Sequence, residues 1–211
     1  MRTRALTLTA MTAAMSLAIV AGAVAPAQAD AAKPGASMTH IKTVAGLAST
    51  LEGAGVILYT QGGATSGVIG ESLAAANSQV VLHVPVTGTK SGVRHVGSVL
   101  VFYNTANNAQ VQLQNPVIDL TKGVVTATVP QAGGQATTVL TITNAASLKP
   151  VVKTDRQAGI RTTTYTGAQL AIGPGVGAVL NGTLGLPAGT IADGSAFATA
   201  EVTLNSAIPA S

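Results

Sequence analysis

Apolar residues in this chain follow two rhythms, a period of two through most of the middle and short stretches near four at either side of it. From Val80 onward, runs of Val, Leu, Thr and Tyr are bounded by Gly, Asn, Pro and Lys-Gly turn chemistry, the grammar of antiparallel strands. Strands are predicted at 79–86, 92–103, 110–120, 123–129, 136–143 and 161–172. Within the second, Val99, Val101 and Tyr103 share one face while Leu100 and Phe102 share the other, so both faces are apolar and the strand belongs in the middle of its sheet. Asn104 to Ala109 forms its turn, and Thr121-Lys122-Gly123 forms the next.

Before the strands, Val44, Leu47 and Leu51 stand at helical spacing until Gly53 and Gly55 stop them, and Val56-Ile57-Leu58-Tyr59 is β-prone. After them the same grammar returns. Leu180 and Leu184 are four apart and followed by Gly185, which predicts a second short helix over 174–184. From Ala196 to Leu204, Ala198, Ala200, Val202 and Leu204 alternate with Thr199, Glu201 and Thr203 as a half-buried strand. The sum is an all-β fold, an antiparallel sandwich or flattened barrel of about eight to ten strands with one or two short helices.

The N-terminus has another pattern. Arg2 and Arg4 precede an apolar run from Ala5 to Val24, and Ala27-Gln28-Ala29 is the small-x-small sequence after which a signal peptidase cleaves. Residues 1–29 are expected to be a signal peptide, 30–40 a flexible lead-in with little to bury, and 41–211 a single β-rich domain. No later run approaches the roughly 20 apolar residues of a membrane helix, so no transmembrane segment is expected in the mature chain. Leu186-Pro187-Ala188-Gly189-Thr190 has the wrong order for a wall-sorting signal and no basic-ended apolar tail follows, so it is read as a turn. The expected location is secreted or extracellular, either free or held non-covalently in the cell envelope.

Charge narrows the picture further. Beyond position 29 the chain has 9 basic and 7 acidic residues, too small a surplus for nucleic acid. Its basic residues are scattered apart from a loose group near 149–161, and stacking aromatics are few. Charged residues are 9% of the full chain against roughly 25% in typical domains. Copies with such a surface repel one another weakly, which favours self-association or adhesion to cell-wall material. With no cysteine there is no lipidation site, disulfide or thiol chemistry, and stability rests on packing.

Motifs that carry chemistry are missing. There is no Gly-x-Ser-x-Gly elbow and no phosphate-cradling loop; Gly173, Gly175 and Gly177 lack the strand, helix and acidic residue of a dinucleotide site. His40, His83 and His95 are too far apart for a local metal motif, so any metal site would have to be assembled by the fold. Seven acids could supply a hydrolytic pair, but sugar clefts also want aromatic platforms and there is no Trp. The chain is therefore expected not to be an enzyme.

One stretch has more individual character: Val84-Pro85-Val86-Thr87-Gly88, then Ser91-Gly92-Val93-Arg94-His95-Val96-Gly97-Ser98, then Val111 to Asp119 with Asn115-Pro116 inside it. With the closing Asp193-Gly194-Ser195-Ala196-Phe197, it resembles a group of secreted actinobacterial β proteins of unknown function. Those carry Pro-Ile-Thr-Gly-Gly, Ile-x-His-x-Gly-Gly-Leu and a strand ending in Ile-Asp, and the likeness covers about residues 41–204. More distantly it is similar to the HtaA-type haem-binding domain, in which a tyrosine ligates haem iron and a histidine supports it. That likeness would make Tyr59 the ligand and His95 the supporting residue, with haem as cofactor, although Ser98 replaces a family glycine and Trp is absent. On the residues alone, His95 is instead expected to hydrogen-bond a backbone carbonyl near a turn, and Tyr59 to be a core or rim aromatic.

The favoured function is a non-catalytic secreted protein that binds or assembles at the cell envelope, without cofactor. The alternative is a haem or other small-ligand module of HtaA-like type. Inhibition of a secreted hydrolase through loop 62–72 or 104–109 is a third option.

Overall fold

The computed structural model describes residues 36–157 and 159–208. The expected signal peptide and most of the lead-in lie outside these residues.

Strands β1 (Met38–Thr43), β2 (Val56–Gly62), β3 (Thr65–Ile69), β4 (Gln79–Pro85), β6 (Ser98–Asn104), β7 (Gln110–Asp119), β8 (Val124–Thr128), β9 (Ala136–Ile142), β11 (Ile160–Ile172) and β12 (Ala196–Ala207) form one antiparallel sheet in the order β2-β6-β7-β8-β9-β11-β12-β1-β4-β3. Two further strands lie off this path: β5 (Val93–Arg94) pairs with β7, and β10 (Val151–Asp155) pairs with β11. The strands at the two ends of the path, β2 and β3, are consecutive in the chain, and the Thr60 amide reaches Ser66 Oγ across them at 3.4 Å. The sheet thus curls into a nearly closed, flattened barrel, which removes most of the exposed strand edge an open sheet would leave.

Alternation dictates what fills it. Val80, Leu82 and Val84 of β4 point inward, as do Leu100 and Phe102 of β6, Val111 and Leu113 of β7, and Ala198, Ala200 and Val202 of β12. β6 is central, between β2 and β7, as its two apolar faces require. Helices α1 (Leu47–Gly53) and α2 (Val176–Leu184) cover one end, where Leu51, Leu180 and Leu184 are buried. Both are tied there to the β6–β7 turn: Thr105 N–H donates to Gly55 O at 2.8 Å, and Asn104 Nδ2 donates to Leu184 O at 2.7 Å.

Four local expectations need correction. Residues 38–40, placed in a flexible lead-in, are the first half of β1, pinned between β12 and β4. The strand expected over 92–103 is broken after Arg94, because Asn115 takes a left-handed φ of 49° and its side chain accepts the Gly97 amide, so β7 is bent opposite that point. Residues 65–69, placed in a loop, form β3, and residues 151–155 form β10; both are exposed along their whole length. Strands with no buried face show no alternation to read.

Candidate functional site

Pro116 disrupts regular pairing on β7, and Val96-Gly97 turns the chain between β5 and β6. Between them His95 is carried into the barrel interior, where it is 1% exposed. Its Nδ1 lies 3.1 Å from Pro116 O and its Nε2 lies 2.8 Å from Thr39 Oγ1. A carbonyl can only accept, so Nδ1 carries the proton and Nε2 accepts from the Thr39 hydroxyl. This neutral tautomer satisfies both ring nitrogens. Burial holds the imidazole below its ordinary pKa, a tendency the Pro116 carbonyl partly opposes. Because β7 and β1 stand on opposite walls in the strand order, the ring braces the barrel across its interior.

The haem arrangement suggested by the HtaA likeness is not assembled. Val56 and Leu58 of β2 point inward, so Tyr59, with Ile57 and Gln61, lies on the outer face, where Gln61 Nε2 approaches its hydroxyl at 3.4 Å. Tyr59 and His95 therefore occupy opposite sides of the barrel wall. The interior cavity, lined by Leu82, Leu100, Leu113 and Val125 with Thr60 and Ser98, has a volume of about 40 Å³. Small-molecule pockets run to about 300 Å³ or more. Two larger clefts beside α2, of about 390 and 450 Å³, include neither residue.

The histidines that sequence spacing kept apart are partly united by the sheet. β1 pairs with β4 so that His40 stands directly opposite His83. Both side chains are on the outer face, since their neighbours Thr39, Leu82 and Val84 are buried. Their Nδ1 atoms are 2.6 Å apart and their rings meet edge to face, with centroids 4.7 Å apart. On the other side of β1, Glu201 of β12 is the cross-strand partner of His40, and Thr166 Oγ1 donates to Glu201 Oε2 at 3.3 Å. A row His83, His40, Glu201 thus runs over three adjacent strands. The His40 pKa is lowered, first by burial and then by the charge of His83, with Glu201 pulling the other way. No spacing rule could have found this row, because its members are 43 and 161 positions apart.

A second exposed feature lies at the end opposite the helices. There β10 pairs with the first part of β11, and the same part of β11 pairs with the tail of β12 from Val202 to Ala207. Val151 and Val152 are 57% and 44% exposed although they point to opposite faces, so both faces of this ribbon meet solvent. Lys153 on β10, Arg156 in the turn after it and Arg161 on β11 are all exposed, as is Lys149 two residues before β10. The loose basic group seen in the sequence thus becomes one structural element.

The glycines at 173, 175 and 177 do not build an anion site. The Asp193 carboxylate accepts the Gly175 amide at 2.6 Å and the Gly177 amide at 2.8 Å. The N-terminus of α2 already holds its own anion. Residues 187–190 form a turn, with the Thr190 amide and hydroxyl both donating to Pro187 O. Among the described residues no helix is long and apolar enough to cross a membrane.

No family model matches the chain, and neither a curated protein nor a solved structure matches it.

Proposed function

We propose that this chain is an exported, non-catalytic protein that attaches to the cell envelope, its β10–β11 ribbon engaging anionic wall polymers. The observation that carries this reading is the concentration of charge on the ribbon. Residues 149–161 hold four of the nine basic residues found beyond position 29 and one of the seven acidic ones, a net charge of +3 on the segment against −1 for the rest. A projecting cationic strip on a weakly charged body suits long-range attraction to a polyanion. The N-terminal address supports the location, and the resemblance to secreted actinobacterial β proteins agrees with it.

Attraction of this kind is screened by salt. Retention of the protein on purified cell walls should fall steeply between low salt and about 0.5 M, where the Debye length shrinks to a few ångströms. A Lys153→Glu, Arg161→Glu variant should wash off at low salt. Retention that ignores both salt and these substitutions overturns the ribbon as the attachment element.

Self-assembly has its own supporting observation. Among the described residues, the outer edge of β10 pairs with no strand, and Val151 and Val152 are exposed beside it. An open, β-branched edge is a template for strand addition. Sedimentation velocity over a hundredfold concentration range should then show growth of the sedimenting species, abolished in Val152→Lys.

A further inference from the structure

The outer-face row on β4, β1 and β12 has no part in bracing the barrel or in the ribbon. We propose that His40 and His83 chelate a divalent transition-metal ion of zinc-like character, with the Glu201 carboxylate beside them supplying negative charge. Two imidazole nitrogens point at one another from directly opposed positions on adjacent strands, 2.6 Å apart. In the metal-free state one Nδ1 must carry a proton, which the other accepts.

An ion takes that proton's place. Zinc–nitrogen bonds are about 2.0–2.1 Å, so two ligands at a tetrahedral angle stand roughly 3.3 Å apart. The rings need to separate by only about 0.7 Å, and exposed side chains on a rigid pair of strands can do so without disturbing the ladder. The ring that donated through Nδ1 shifts its proton to Nε2 by exchange with solvent, so both Nδ1 lone pairs become free and no net proton is released from the neutral pair. Imidazole suits zinc, copper and nickel better than calcium or magnesium.

Among the described residues no group of three or more His, Cys, Asp and Glu side chains already surrounds a point in space. The pair therefore provides two donors, and water or Glu201 completes the shell. Glu201 lies directly across from His40, a separation of roughly 5 Å between Cβ atoms. The other charged group on this face of β1 is Lys42, one step beyond His40 on the same side, and its charge opposes the ion.

The test is calorimetric titration of untagged protein with zinc chloride near pH 7.5, alongside His40→Ala and His83→Ala. The expected result is saturation at one ion per chain, weakened at least tenfold by either substitution. In proton NMR spectra the ring signals of His40 and His83 should move on addition of zinc while those of His95, with both nitrogens engaged, stay in place. Both substitutions fall on the solvent side of the sheet, and circular dichroism confirms that each variant is folded. Absence of saturable binding, or either variant binding within tenfold of the parent, overturns the proposal.

Discussion

His95 shows how much one buried polar residue can decide. Its ring bonds the Thr39 hydroxyl and the Pro116 carbonyl at once; removing it leaves the buried Thr39 hydroxyl without a partner and opens a cavity, while the Pro116 carbonyl keeps the backbone amide of residue 95. His95→Ala should cost about 3 kcal/mol, measured by urea unfolding, whereas an exposed substitution such as His83→Ala should change stability by less than about 0.5 kcal/mol. Titration adds a second expectation. The folded pKa of His95 is lowered from 6.5, so below that pH the unfolded chain binds a proton that the folded one refuses. Stability is complete above pH 6.5 and declines as pH falls toward the depressed folded value. Unfolding free energies measured between pH 8 and 5 should slope downward on the acid side, and the slope should flatten in His95→Gln. His40, also lowered, acts in the same direction but more weakly because its ring is largely in solvent.

Elements meet where the barrel nearly closes. The turn between β2 and β3 lies against the turn between β5 and β6: Gly63 N–H donates to Gly97 O at 3.1 Å. Gly62 has φ 73°, and a Cβ there would overlap that same Gly97 carbonyl oxygen. Gly62→Ala combines a left-handed strain with a backbone clash, and a loss of at least about 2 kcal/mol is expected. Thermal unfolding checks it, with Gly133→Ala as a comparison: that glycine also has positive φ but nothing lies near its Cβ position. The strands at 79–86, 110–120, 123–129 and 136–143 were legible within a residue or two, because each has one buried face and a turn at both ends. The break after Arg94 was not, since it depends on how Asn115 and Pro116 bend a partner strand.

Across the whole molecule, order should grade from the helix-capped end to the ribbon. β6 and β7 are paired on both sides and packed over the core, whereas every residue of β10 is exposed. Amide hydrogen exchange should therefore run far faster in β10 than in β6, because opening the ribbon uncovers little apolar surface. The ribbon is also where the charge lies, so envelope attachment would use the part of the protein that is cheapest to deform.

Residue order alone carries what is local and periodic. Alternating apolar positions made strands, four-residue spacing made two short helices, and glycine with asparagine punctuated them into an all-β fold. Composition made the chain weakly charged, and His95 was legible as a residue bonded to a carbonyl near a turn. It took the folded barrel to select that carbonyl, to bring Thr39 in as the second half of the brace, and to turn Tyr59 away from it. The barrel also brought His40 to His83. Register across strands is fixed by the sum of buried faces and turn geometries around the whole barrel, and residues distant in the chain carry no local trace of it.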